Sequence, residues 1–299
     1  MVRRQDIGEV TRFDLSARGR RLLGGYWTTC YRLGDGMVDA GPVHRGNALV
    51  AALGPGRIRK VLLTHAHEDH IGGVGALRRA FPEAEVLAHA GTVRVLGDPR
   101  KEQPEQLYRR LIWGWPDAVS GGIPLQEGDV VTVGGFRLRA IHTPGHSPEH
   151  LCFWEEDRGY LFTGDLYVGG QDIGIRSDAD IWALIASLER LVALRPRVLF
   201  PGAARIPEDP IAALNRKINY YRQLGERVLR LHREGWSEAR IARSLLGRWH
   251  RIEWLTQGHF TRVALVRSFL RQASSGGVPQ RVVSLAPDHD PGGSSSTGA

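Results

Sequence analysis

The chain has 299 residues, enough to bury one large or two ordinary cores. At 42% hydrophobic and 24% charged it is globular in composition. No apolar run approaches the roughly 18 residues that a membrane span requires. The formal net charge of +8 lies in residues 205–272, where 14 basic side chains stand against 6 acidic ones; the remaining 26 and 26 cancel. Only Lys60, Lys101 and Lys217 are lysines, so the positive charge is an arginine bias and a weak indicator of an anionic partner. Met-Val-Arg-Arg-Gln-Asp at the start is not followed by an apolar core, so no secretory signal is expected and the chain is read as cytoplasmic. Cys30 and Cys152 lack metal-ligand spacing and are read as buried free thiols, in keeping with a reducing compartment.

Taken in order, Gly25 to Leu33, Met37 to Val38, Lys60 to Thr64 and Glu85 to His89 read as short strands, with a helix over residues 74–81. Residues 99–124 interrupt this pattern with Tyr108, Trp113 and Trp115. They read either as a lid over a pocket or as ordinary surface packing. Asp129 to His142 reads as a hairpin around Gly134-Gly135. His150 to Trp154, Tyr160 to Thr163 and Val198 to Phe200 follow as strands, with a helix of 3.6-residue period over Asp178 to Leu194. Two groups of strands with helices between them predict two sheets packed face to face, helices outside. Beyond Pro201-Gly202 the chain turns helical: residues 210–233, Ser237 to Leu246 and Thr256 to Arg271. Ser237 to Gly247 has the spacing of half a helix-turn-helix, although Ile241, Leu245, Val263, Val266 and Leu270 are explained by packing a small helical unit. The Gly-, Ser- and Pro-rich residues 274–299 are expected to be a disordered tail.

The chemistry concentrates in Thr64-His65-Ala66-His67-Glu68-Asp69-His70, where three imidazoles and the Asp69 carboxylate follow the apolar run Val61-Leu62-Leu63. Imidazole suits zinc or iron, and a carboxylate can complete such a set. Two later segments are read with it: Thr143-Pro144-Gly145-His146-Ser147 and Leu161-Phe162-Thr163-Gly164-Asp165.

In this order the three segments resemble the His-x-His-x-Asp-His, Pro-Gly-His and Gly-Asp motifs of the metallo-β-lactamase-fold superfamily. Tyr31 to Gly41 (YRLGDGMVDAG) is similar to the strand–turn–strand and Asp-x-Gly that open those domains. The likeness covers residues 8–205. It implies an α/β fold, the αββα four-layer sandwich, over residues 1–205. Residues 206–273 are expected to form a mainly helical, winged-helix-like accessory domain. It also implies metal ligands: His65, His67 and His146 for one ion, Asp69 and His70 toward a second, and Asp165 bridging. A hydroxide between the ions would be the nucleophile, with Asp69 orienting it and carrying a proton.

One departure bears on the second ion. Where two-metal members place a histidine after the last strand, this chain reads Phe200-Pro201-Gly202-Ala203-Ala204-Arg205. Three outcomes are open. A second zinc binds through Asp69, His70, Asp165 and water; His259 substitutes from afar; or a single iron serves, as in the sulfur-dioxygenase branch. The resemblance to the glyoxalase II-like branch favours a cytoplasmic zinc hydrolase (thioesterase or lactonase) over a β-lactamase. The substrate would be a small molecule, such as a CoA or glutathione thioester held by Lys217, Tyr221 and His259, with Arg216 and Tyr220 nearby. A persulfide dioxygenase and a nucleic-acid phosphodiesterase are the alternatives. His89, His142 and His150 are read as supporting or structural residues.

Overall fold

A computed structural model describes residues 1–17, 27–103, 106–247 and 251–273. The first sheet has seven strands: β1 (Val2–Ile7), β2 (Val10–Ser16), β3 (Trp27–Leu33), β4 (Gly36–Val38), β5 (Lys60–Leu63), β6 (Glu85–His89) and β7 (Gly122–Leu125). They lie in chain order, antiparallel as far as β4 and parallel from β4 to β7. The second sheet contains β8 (Val130–Val133), β9 (Phe136–His142), β10 (Leu151–Glu155) and β11 (Tyr160–Gly164). After the two-residue β12 (Ile175–Arg176) comes β13 (Val198–Pro201), which joins this sheet parallel to β11. Its order is β13-β11-β10-β9-β8.

Alternation along the strands builds the layers. Tyr31, Leu33, Val38, Leu62 and Leu87 of the first sheet meet Phe136, Leu138, Leu151, Phe153, Phe162 and Phe200 of the second in one buried cluster. The opposite face of the first sheet supplies Phe13, Cys30, Val61, Leu63 and Val86 to a cluster with Leu49, Val74, Leu77 and Leu96 from helices Gly46–Leu53, Val74–Ala80 and Ala90–Gly97. A third cluster joins Ile141, Cys152, Trp154 and Leu199 of the second sheet to helix Ile181–Ala193 and to the helices beyond residue 205. Each fully buried Leu or Phe contributes about 1.5–3 kcal/mol to this packing. The expected αββα sandwich is present, and one apolar core runs across the expected boundary at residue 205. The hairpin turns at Gly134-Gly135, with Val133 opposite Phe136. Cys30 and Cys152 are buried and unbridged. No helix among the described residues is long and apolar enough to cross a membrane.

The helical segment departs from the sequence reading at one point. Helix Pro210–Arg233 and helix Glu238–Leu246 form as expected, the latter capped by Ser237 Oγ, which accepts from Arg240 N. The third helix starts six residues later than expected, at Arg262 instead of Thr256. A short helix, Arg251–Leu255, ends at Gln257 and Gly258, whose φ angles are +52° and +81°. β14 (Phe260–Thr261) then pairs antiparallel with β12, and the last helix runs Arg262–Ala273. The left-handed conformation stops a helix at any residue type, and Gly258 adopts it without a Cβ penalty. The start of the first predicted strand, Gly25, and the tail 274–299 lie outside the described residues.

Candidate metal centre

The donors come from loops at the ends of strands in both sheets. β5 ends at Leu63, and Thr64 leads into His65 and His67, after which the one-turn helix Glu68–Ile71 carries Asp69 and His70. From the second sheet, His146 follows β9 and Asp165 follows β11. Asp39 ties the first group together. Its carboxylate accepts from Thr64 N at 2.8 Å and lies 2.8 Å from His70 Nδ1, while Thr64 Oγ1 is 2.9 Å from His65 Nδ1. These contacts fix both rings from behind and leave their Nε2 atoms facing forward.

Two donor triads result, His65/His67/His146 and His65/His70/Asp165, the ligand atoms of each lying within 4.8 Å of one another. His146 Nε2 is 3.0 Å from His67 Nδ1, and His70 Nε2 is 3.3 Å from Asp165 Oδ1. Asp69 stands slightly apart: it accepts from Thr28 Oγ1 at 3.1 Å and lies 3.9 Å from His70 Nε2. His65 Nε2 is buried with no hydrogen-bond partner, and His70 Nε2 and Asp165 Oδ1 face only each other. Convergent buried donors without partners are expensive unless a cation receives them, so this set fits a divalent metal ion.

The electrostatics agree. Burial holds His65, His67 and His146 below the usual imidazole range, in the neutral form that ligates. Burial also opposes a charge on His70, but Asp165, Asp39 and Asp69 outweigh it and push that imidazole well up. Burial raises Asp69 to about 6, opposed by His70, whereas His70 overcomes burial at Asp165 and brings it to about 2. The surplus of carboxylates around His70 therefore attracts positive charge.

Ala203 lines the cavity in front of these donors. Its segment is pinned: Thr29 N donates to Gly202 O at 2.6 Å, Gly202 N to Gly164 O at 2.8 Å, and Tyr31 Oη to Pro201 O at 2.7 Å. Gly202 passes so close that an added Cβ would stand 2.5 Å from Asp165 Oδ1 and 2.9 Å from His70 Cε1. His259 does not replace the absent histidine. Its Nδ1 is bonded to Tyr108 Oη at 2.5 Å, and it belongs to neither triad.

The cavity encloses about 410 Å³ and is walled by the donor loops, by Tyr108, Ile112 and Trp113 of the 99–124 insertion, and by Tyr221, Thr256 and Phe260 of the helical segment. The insertion is clamped to the metal loop by the buried Arg109–Glu68 ion pair and by Gln103 Nε2, which donates to Ala66 O at 2.6 Å. Of the expected substrate residues, only Tyr221 reaches this wall. Lys217 is buried, with Nζ 2.8 Å from Asp172 Oδ2 and donating to the carbonyls of Gly169 and Gly170. Tyr220 Oη donates to Asp172 O at 2.5 Å. These side chains hold the loop 168–172 and are not free to bind an anion.

No arginine or lysine of residues 205–272 lines the cavity among the described residues; its one such cation is Arg176, tethered by Asp178 at 2.9 Å. The sequence reading missed Arg176 because a single arginine in a loop carries no periodic or motif signal. Asp39 was legible only as the Asp of the Asp-x-Gly segment. His150 is buried beside His65, the rings 5.0 Å apart, with Nδ1 2.9 Å from Thr143 Oγ1. His89 and His142 stack on each other at 5.1 Å, apart from both triads.

The profile of the metallo-beta-lactamase superfamily matches residues 37–203. An atrochrysone carboxyl ACP thioesterase of Aspergillus fumigatus is 31% identical over 239 residues, covering 75% of this chain and 67% of that protein. The lactamase-like protein nscB of Neosartorya fischeri is 31% identical over 222 residues, 69% of this chain and 59% of that one. The chain thus spans about two thirds or less of these relatives. A metallo-beta-lactamase family protein of Thermus thermophilus, 21% identical, superposes with a TM-score of 0.66 over 90% of this chain and 94% of its own, which shows the fold. The matched profile spans more than half of the chain and contains all six motif donors, and the chain belongs to the metallo-beta-lactamase superfamily as a metal-dependent hydrolase.

Proposed function

We propose that this hydrolase cleaves acyl thioesters whose acyl group is apolar, with zinc as its metal. The observation that carries the reading is the position of the donor triads at the base of a cavity whose other walls are mainly apolar and aromatic. Ile112, Trp113, Leu166, Val168, Leu184 and Phe260 are among them. The thioesterase named among the relatives supports the same chemistry. His65, His67 and His146 would hold one ion, and His70 and Asp165 a second, with Asp69 beside them. The metal supplies Lewis acidity, which lowers the pKa of a water molecule and polarises a carbonyl oxygen.

The protein's own residues supply orientation and proton handling. Thr28 Oγ1 holds Asp69, whose carboxylate stands beside the donor set, in position to accept a proton. A thiolate leaves without prior protonation, since free thiols ionise near ~8.5, so one proton acceptor suffices. Water adds at the carbonyl carbon and the C–S bond breaks, giving an acid and a thiol. The apolar walls shield this step from bulk solvent.

The test is elemental analysis followed by a thioester and lactone panel, with His67→Ala and His146→Ala as controls. Zinc at one to two ions per chain, with metal and turnover lost together in both variants, is the expected result. Ala203 gives the iron reading its footing, so about one iron per chain with oxygen uptake on persulfides would replace this proposal.

A further inference from the structure

Arg176 is the one arginine or lysine among the described residues that lines the chamber in front of the donors. Its backbone is pinned, since β12 pairs Arg176 with Phe260 of β14 and Ser177 N donates to His259 O at 2.9 Å. Asp178 holds one edge of the guanidinium, accepting from Nε at 3.1 Å and from Nη2 at 2.9 Å. Nη1 has no partner among the described residues, and it is not sealed in: solvent reaches it. Arg176 also borders a cleft of about 360 Å³ that shares His67 with the chamber. Asp178 lines the cleft and not the chamber, so the edge it leaves unoccupied is the one available to the chamber.

A cation in this place is costly. After burial, its charge does most to keep His67 neutral, and it acts on His146 in the same direction. It therefore stands close enough to repel any metal ion that these ligands hold. Asp178 is half exposed, so water screens its share of the compensation. An anion seated in the chamber offsets the repulsion and gains charge-assisted hydrogen bonds from Nη1.

We propose that Arg176 anchors a carboxylate carried on the apolar acyl group, so that the preferred substrates are half-thioesters of dicarboxylic acids. The inference rests on the thioesterase reading and narrows its acyl group. The hydrocarbon part lies against Ile175, Leu184 and Phe260, and the far carboxylate accepts from Arg176 Nη1. The anchored carboxylate takes no part in the bond changes, which remain those of thioester hydrolysis.

The test measures kcat/KM for pairs of thioesters on N-acetylcysteamine. Each pair sets a dicarboxylic half-thioester against the monocarboxylic ester of equal chain length. Wild type is expected to favour the half-thioester, through KM, at the length that spans the chamber. Arg176→Met should lower that preference by about 10- to 100-fold, the effect of a hydrogen bond to a charged group. Asp178→Asn should raise it, because the anion that competes for the guanidinium is gone. A structural tether predicts instead that both variants act alike, since either one breaks the same pair. Calorimetric titration of metal-free protein with monomethyl adipate, which carries one carboxylate, reads the anchor without turnover. Binding should weaken in Arg176→Met and not in Asp178→Asn. Equal preferences in all three proteins, or a parallel fall in both variants, overturns the anchor and leaves the thioesterase reading intact. So does an equal fall in kcat for both esters in Arg176→Met, which places the guanidinium at the reacting carbonyl. If wild type hydrolyses neither ester, the thioesterase reading falls and the titration alone decides the anchor, which binding unchanged in Arg176→Met overturns.

Discussion

Asp39 offers the sharpest test of how the centre is held. It is 1% exposed, has a φ of +61°, and binds Thr64 N, Thr64 Oγ1 and His70 Nδ1 at 2.8 to 3.0 Å. Asparagine tolerates this backbone conformation and can still accept from Thr64 N through its amide oxygen. Its other end is an NH₂ group, which turns a donor toward His70 Nδ1. The ring must then accept at Nδ1 and carry its proton on Nε2, the atom that faces Asp165 and the proposed ion. Loss of such an outer partner lowers metal affinity about 10- to 100-fold, which is roughly 1.4–2.8 kcal/mol. Asp39→Ala should be worse in a different way. It leaves the Thr64 N–H buried without a partner, about 1–3 kcal/mol, and places alanine at positive φ for roughly 1–2 kcal/mol more. Chelator competition with zinc gives the affinity, and melting of the metal-free proteins gives the stability. The reasoning fails if Asp39→Asn binds zinc as tightly as the parent, or if it loses stability as severely as Asp39→Ala.

Ala203→His should raise metal stoichiometry toward two per chain, because its backbone is already pinned beside Asp165; an unchanged ratio would show that the pocket does not accept a ligand there. Lys217→Met should cost about 3 kcal/mol, since it leaves Asp172 and two carbonyls without their cation, and should raise KM through the loosened loop 168–172. A protein of unchanged melting temperature that had lost binding of anionic substrates would instead restore direct contact by Lys217. His259 titrates at about 4 because burial, and then the Arg176 charge, disfavour its protonated form. Below its unfolded value near ~6.5 the unfolded chain binds that proton more tightly, so His259 stabilises less as pH falls toward 4. The melting-temperature advantage of the parent over His259→Asn should therefore shrink across that window, and a constant difference would refute the assignment.

The donor set was legible because metal chemistry demands particular side chains, and here they sit in three short contiguous segments after apolar strands. The sandwich was legible for a related reason: strands buried on both faces, such as Lys60–Leu63, leave a dense apolar signal. β1 left none, since Val2–Ile7 is an edge strand with four consecutive exposed positions, Arg3, Arg4, Gln5 and Asp6. Lys217 was misread because a lysine on a polar helix resembles a free cation until a distant loop delivers Asp172 and two carbonyls to it. The third helix was started too early, at Thr256, because the turn at Gln257-Gly258 and the pairing of Phe260–Thr261 with β12 depend on tertiary neighbours. Gln103, Arg109 and Arg176 act through tertiary neighbours alone, and nothing in their own segments announces those neighbours.

This division has a mechanical origin. The metal ligands are fixed by residues next to them in sequence or on adjacent strands: Asp39 and Thr64 lie at strand ends of the sandwich. The walls that select a substrate are contributed by the insertion and the helical segment, which are tied to the centre by side-chain links as well as by the β12–β14 pairing. Arg109 grips Glu68 within the metal motif itself, and Tyr108 grips His259 ahead of the last helix. Glu68 therefore couples the two systems, being the one side chain from His67 to His70 that is not among the six motif donors. Removing Tyr108 Oη should change which acyl groups are accepted with little effect on metal content. Removing the Arg109 guanidinium strands a buried carboxylate one residue from His67, and should disturb both at once.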